Sequence, residues 1–321
     1  MLNPTDSANC SSTPVVVALG EVLWDVLPSG ERLGGAAANL CVMAGRLGSD
    51  AVLASRIGSD DRGNRIVGEL SVLPVNTTFI QRDPVLPTGQ VAVALDTEGQ
   101  PAYRIHENVA WDAFEFTESW CGLAQNADAV CFGTLAQRSP VSRATIAKFL
   151  ASTRKGCLRV LDLNLRYPFV SEEAIRWSLS HASVLKVNDE ELKTLSALLG
   201  LRSRPSKDAC RESVDTLMSA FPLALVCVTL GRAGSLLVSN HGYHRHPGVA
   251  TSVVDTVGAG DAFLATVTHL ALADASLAEI SEAANRNGAW VAAQAAAIPS
   301  IWPPDLEHQQ VARPLPIGDL K

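Results

Sequence analysis

Residues 255–263 read Asp255-Thr-Val-Gly-Ala-Gly-Asp-Ala-Phe263, two glycines and two aspartates within seven residues. The segment that follows, Ala262 to Ala273, has the apolar spacing of a buried helix. Gly258 and Gly260 can take backbone conformations that other residues avoid. A turn built from them aims several N–H groups at one point beside a helix N-terminus, where partial positive charge gathers. Such a point suits the negative charge that spreads over a phosphoryl group in transfer. Asp261, an anion in the same place, reads either as a helix cap or as a general base that takes a proton from an attacking hydroxyl.

Upstream of this turn lie short continuous apolar runs: Val15–Leu19, then runs from Ala51, Asp128, Leu158, Ser183 and Leu223. Continuous rather than alternating runs belong to strands covered on both faces, as in a parallel sheet. Between them, helical spacing appears over Ala36–Leu47, Arg62–Leu70, Val141–Ala151, Asp189–Leu199 and Glu212–Ala220. Alternating strands and helices predict a doubly wound α/β core, assigned to residues 14–21, 34–87 and 111–314. Residues 22–33 and 88–110 break the rhythm. Each holds strand-like sequence around a turn, and 89–106 alternates apolar with polar residues, which suits a sheet with one open face. The two are expected to form one small sheet, a lid or else an edge extension of the core. Residues 1–13 are expected to be a disordered tail.

The chain has 321 residues, 47% hydrophobic and 18% charged, enough for a large core. A net charge of −7 argues against a nucleic-acid partner but not against a nucleotide, whose phosphates need only local donors. The seven cysteines are scattered without a C-x-x-C pair, which points to a reducing, cytoplasmic setting. No signal peptide and no apolar run of membrane-spanning length are apparent. There is no P-loop string, no dinucleotide fingerprint and no nucleophile elbow. His241, His244 and His246 lack an acidic or cysteine neighbour and are set aside as a metal site.

The whole string 255–263 resembles the C-terminal signature of the ribokinase-like (PfkB) carbohydrate kinases, which phosphorylate a sugar hydroxyl with ATP and magnesium. The resemblance implies an anion hole at Gly258, Ala259 and Gly260, and a catalytic base at Asp261. Gly34-Gly-Ala-Ala-Ala-Asn39, followed by Ala44-Gly-Arg-Leu-Gly48, is similar to the family's first signature. It implies that Gly34 and Gly35 bring backbone close to the sugar and that Asn39 bonds its hydroxyls. Asp25, in Gly20-Glu-Val-Leu-Trp-Asp25, matches the family's sugar-binding aspartate. Asn188-Asp-Glu-Glu191 resembles the N-x-x-E element, implying that Asn188 lies by the phosphates and Glu191 orders magnesium-bound water. Thr229-Leu-Gly-Arg-Ala-Gly234 resembles the element that holds the nucleotide, through Thr229, Gly231 and Gly234, and Asn285 stands where the family flanks the adenine. Asp255, the carbonyl of Val257 and the stretch Val291–Ser300 match positions that hold a monovalent cation such as potassium in many members. The family often has glycine near the end of that stretch, where this chain reads Ala295-Ala-Ala-Ile-Pro-Ser300.

Asp162-Leu-Asn-Leu-Arg166 resembles the fructokinase and 2-keto-3-deoxygluconate kinase branch. Arg166 suits a substrate carboxylate, a phosphate or the acidic site itself. Gly133-Thr-Leu135 is expected to line the same pocket. Tyr103, Arg104 and His106 on the expected lid are in reach of a sugar, or else form its solvent face, and Trp24 either packs on the sugar ring or in the lid core. The wording of these motifs is nearest to fructokinases. A sugar-acid kinase, a nucleoside kinase and a non-catalytic sugar or nucleotide sensor are the alternatives. Pairing of two copies through the lid is a further expectation.

Overall fold

A computed structural model describes residues 13–95, 101–201 and 208–302. Among them the chain forms thirteen strands and nine α-helices. The main sheet contains β1 (Val15–Leu19), β4 (Asp50–Gly58), β5 (Ile80–Asp83), β8 (Ala129–Gly133), β9 (Leu158–Asp162), β10 (Val184–Asn188), β11 (Leu225–Thr229), β12 (Ser235–Ser239) and β13 (Gly242–His246). Its order is β13-β12-β11-β10-β9-β8-β1-β4-β5, parallel except for β12 and β13. The second sheet is β3-β2-β6-β7, with β2 Leu23–Leu27, β3 Gly30–Gly34, β6 Gly89–Leu95 and β7 Pro101–Ile105. It joins the two segments that broke the α/β rhythm.

Two apolar clusters account for the layering. Along β1, Val16 and Ala18 face one cluster and Val17 and Leu19 the other, as strand alternation requires. The first cluster takes in α1 (Ala36–Arg46), α2 (Asp61–Leu70), α8 (Ala259–Leu272) and α9 (Leu277–Ala292). The second takes in α3 (Glu118–Asn126), α4 (Pro140–Ala151), α5 (Glu172–His181), α6 (Asp189–Leu198) and α7 (Ala209–Ala220). Both faces of the sheet are therefore covered, which explains the continuous apolar strand sequences.

Helices α3, α5 and α9 were not evident in the sequence. Helix α9 carries Asn285, Asn287 and Gly288 mid-length, all poor helix formers, which blurs its pattern. Its start is fixed by a reciprocal cap between Ser276 and Glu279. Trp24 is fully buried in the first cluster and donates its indole N–H to the Arg62 carbonyl, so it serves the base of the small sheet rather than a sugar ring. Trp111 returns the chain to the core and lies against Gly89, where a methyl group would fall 2.2 Å from the indole nitrogen.

Candidate active site

Helix α8 begins at Ala259, three residues before its apolar spacing suggests. Gly258 caps it in the left-handed conformation, φ 81°, and a Cβ there would lie 2.6 Å from that of Ala297. Both facts confine this position to glycine. The helix hydrogen bond from Ala262 N–H to Gly258 O, 2.9 Å, draws Ala259, Gly260 and Asp261 into the first turn. Amides of a first turn have no acceptor within their own helix; here the Ala259 N–H already donates outside it, to Thr256 O at 3.3 Å.

The Asp261 carboxyl is 8% exposed and accepts a hydrogen bond of 2.8 Å from Asn39 Nδ2. Burial, reinforced by the negative charge of Asp162, pushes its pKa up to about 7; Lys186, the Asn39 bond and Arg166 oppose the rise. Asn39 Oδ1 is buried without a partner among the described residues, an acceptor left over for a ligand hydroxyl.

Asn39 lies one turn into α1, whose entrance is as tightly built. Gly35 precedes the helix with φ 103°, and a Cβ there would lie 2.5 Å from the Glu21 carbonyl oxygen. Glu21, buried and with its pKa raised by that burial, accepts from Ala36 N–H at 3.2 Å. A Cβ on Gly34 would fall 2.3 Å from Asp25 Oδ2, so the missing side chain leaves room for that carboxylate. Burial pushes Asp25 up to about 6, with Arg166 opposing, Asp255 adding to the rise and Arg32 opposing. Arg166 is exposed, and its charge acts on Glu21, Asp25 and Asp261 together. A pocket between the Asp162 and Glu21 side includes Gly133, Thr134, Leu135 and Asn164 in its walls.

On the other side, Asn188 and Glu191 form a reciprocal cap at the start of α6. Glu191 Oε2 accepts from Asn188 N–H and Oε1 from Leu165 N–H, both at 2.9 Å. Each carboxylate oxygen keeps lone-pair capacity toward a water but is not free to enclose an ion, and no cluster of three metal-ligating side chains occurs among the described residues. That donor set fits a magnesium ion held mainly by phosphates and reached through its waters. Thr229 pairs with Asn188 across β10 and β11. Gly231 and Gly234 bound the short turn between β11 and β12, both at positive φ, and a Cβ on Gly234 would lie 2.0 Å from His246 O. Asn285 donates both amide hydrogens within the protein, to Ser235 Oγ and Ser281 O at 2.7 Å each, so only its oxygen could serve a nucleotide.

The segment expected to hold a monovalent cation does meet the α8 entrance. Asp255 Oδ1 accepts from Val257 N–H at 3.0 Å, and Val254 N–H bonds to Ala292 O at 2.9 Å. Two carbonyls of the 291–300 stretch are already taken by guanidinium groups, Ala295 O by Arg32 and Pro299 O by Arg46. Ser300 is exposed.

Of the expected lid residues, Arg104 pairs with Ala92 while Asp25 pairs with Val91. Strand alternation therefore sets Arg104 on the opposite face of the small sheet from Asp25, which corrects its placement beside a sugar. Tyr103 pairs with Val93 and its side chain lies outside what is described, as do residues 1–12 of the expected 1–13 tail and residues 96–100. His246 bonds Glu282 at 2.8 Å and belongs to no cluster of three metal-ligating side chains among the described residues.

Sequence reading passed over Lys186. It is 6% exposed and its ammonium lies 3.0 Å from Asp162 Oδ1, on the sheet face that α8 covers. The signal was present: a lysine inside the apolar run Val184-Leu-Lys-Val187.

A doubly wound sheet with a carboxylate at a glycine-lined helix entrance, and a small second sheet, defines the ribokinase-like class. The sequence pattern of pfkB family carbohydrate kinases matches residues 27–303, and the chain belongs to that family, as a sugar phosphotransferase. It is 27% identical over 297 residues to a sugar kinase of Pyrococcus horikoshii, covering 86% of this chain and 92% of that one. The solved structure of the Pyrococcus kinase with ATP superposes at a TM-score of 0.74, with 26% identity and coverage of 88% and 93%. A fructokinase of Escherichia coli is 27% identical over 291 residues, covering 85% of this chain and 92% of its own.

Proposed function

We propose that the chain is an ATP-dependent fructokinase. The observation that carries this reading is Asp261, a buried carboxylate poised near neutral pH at the glycine-lined entrance of α8 and bonded to Asn39. Fructose would bind through Asp25, Asn39 and the backbone at Gly34 and Gly35. Asp261 would take the proton of a primary hydroxyl as that oxygen attacks the γ-phosphorus in line. Amides of Gly258, Ala259 and Gly260 would stabilise the spreading charge. ATP would lie along Asn188, Thr229, Gly231, Gly234 and Asn285. Magnesium, when bound, supplies charge neutralisation at the phosphates, and Glu191 would hold its waters. A monovalent cation would need the Val257 and Ser300 carbonyls and Asp255, with the Ala295 and Pro299 oxygens already engaged. The small sheet would act as the lid that excludes water.

Arg166 supports 2-keto-3-deoxygluconate as the second candidate, because its exposed guanidinium acts on Glu21, Asp25 and Asp261 and suits a carboxylate. The E. coli relative is a fructokinase and supports the first. The test is ADP release with fructose, 2-keto-3-deoxygluconate and adenosine offered in parallel. Fructose should give the highest kcat/KM. Asp261→Asn should lower kcat by about two to four orders of magnitude while sugar binding survives. Tight sugar binding without turnover would instead support a sensor.

A further inference from the structure

Lys186 occupies a place that packing alone would give to an aliphatic side chain. Its register neighbours on the same sheet face are Asp162 on β9 and Cys227 on β11, and the next residues on that face are Val160, Val184 and Leu225, all in the core cluster beneath α8. A buried ion pair there is weak evidence of stabilisation, since apolar replacement of such a pair is often neutral. The ammonium has three hydrogens. Among the described residues Asp162 Oδ1 is the one acceptor bonded to it, at 3.0 Å. The remaining hydrogens are left beside the α8 entrance: a Cβ placed on Gly260 would lie 3.0 Å from Nζ. Asp162 also keeps its Oδ2 buried and, among the described residues, unpartnered. Within this small volume the charges of Asp261 and Glu191 act on Lys186 as well.

We propose that Lys186 is a further catalytic residue of the phosphoryl transfer, donating from Nζ to a non-bridging oxygen of the transferred group while Asp162 holds the ammonium from behind. The inference rests on the kinase reading above. In the step it serves, the acceptor hydroxyl loses its proton to Asp261 and its oxygen forms the new bond to the γ-phosphorus. The bond from that phosphorus to the β–γ bridging oxygen breaks, and its electron pair leaves on ADP. Lys186 gives up no proton; its charge follows the three oxygens as negative charge grows on them. The glycine at 260 is then explained twice over, by the close amide and by the room its missing side chain leaves for the ammonium.

The test compares Lys186→Met, Lys186→Arg and the double variant Lys186→Met/Asp162→Asn. Turnover with fructose should fall about 10²–10³-fold in Lys186→Met, with the fructose KM little changed. The arginine variant should retain more turnover than the methionine variant. The double variant removes the orphaned buried carboxylate, so a purely structural lysine would regain wild-type kcat there, and that result would overturn the proposal. Independently of any sugar, ADP and its beryllium fluoride complex, each with magnesium, are titrated into wild type and Lys186→Met. The variant should lose about tenfold or more in affinity for the fluoride complex, the usual scale of a lost charge-assisted bond, and none for ADP. Equal affinities for the fluoride complex would also overturn it. If wild type turned over no sugar while the fluoride difference persisted, the kinase reading would fail and the phosphoryl contact would stand.

Discussion

Asp261 ties stability and activity to the same proton. A carboxyl raised to about 7 in the folded chain binds its proton more tightly there than in the unfolded chain, where its value is 3.8. Folding stability therefore falls as pH rises between those values, and the penalty is complete above about 7. Asp261→Asn should leave stability unchanged near pH 4 and raise it above pH 7, which thermal melts across pH would show. With Asp261 as the proposed base, catalysis would run the other way, because only the ionised form accepts a proton. The acid limb of kcat/KM should have its midpoint near 7 and steepen below 6, where Asp25 also takes up a proton. A limb near pH 4 would remove Asp261 from the role of base. The place of this residue at a helix entrance was legible because glycines precede it and its helix is apolar. Its protonation state was not legible, since it depends on burial and on Asp162, Lys186, Asn39 and Arg166, all distant from it in the chain.

At the scale of elements, the entrances of α1 and α8 do the same work with the same device. Each begins after a glycine at positive φ whose missing side chain admits another part of the chain, Glu21 O at Gly35 and Ala297 at Gly258. The Asn39–Asp261 bond then joins the two first turns. Gly258→Ala would meet both the left-handed backbone penalty and the contact with Ala297. Its expected cost is about 1–3 kcal/mol, seen as a lowered Tm. Because the same residue aims the first-turn amides, kcat should fall by more than tenfold in protein that is still folded at the assay temperature. A destabilised variant with unchanged kcat would separate the turn from the chemistry. Glycine spacing announced both turns in the sequence. The start of α8 did not show, because Ala259 and Gly260 add little to the apolar pattern and the backbone bond from Ala262 to Gly258 closes the first turn. Lys186 was missed for a related reason: a strand run is read for its apolar majority, and one charged exception passes for noise until its partner on β9 is known.

For the whole molecule the question is how the small sheet and the core act together. Order β3-β2-β6-β7 leaves β3 and β7 as edges, and a second copy pairing along one of them would give twice the monomer mass in light scattering; a monomer at working concentration would exclude pairing through the lid. The sheet's hold on its own core is already visible. Arg32 on β3 faces Asp25 across the β2–β3 pair and donates to Ala295 O, in the stretch that backs Gly258 through Ala297. One side chain thus spans Asp25 and the stretch behind the Gly258 turn, the two places proposed for the sugar and the phosphoryl group. Arg32 is exposed, so its removal should change stability little. Its loss should instead loosen the sheet over the cleft and raise the sugar KM of Arg32→Ala about tenfold, the scale of one charge-assisted hydrogen bond. The ATP KM measured without changing sugar saturation should move far less, because none of the residues proposed for the nucleotide lies on that sheet. Equal rises in both constants would mean that Arg32 acts through the α8 entrance rather than through the sheet, and no rise in either would make the small sheet a passive cover.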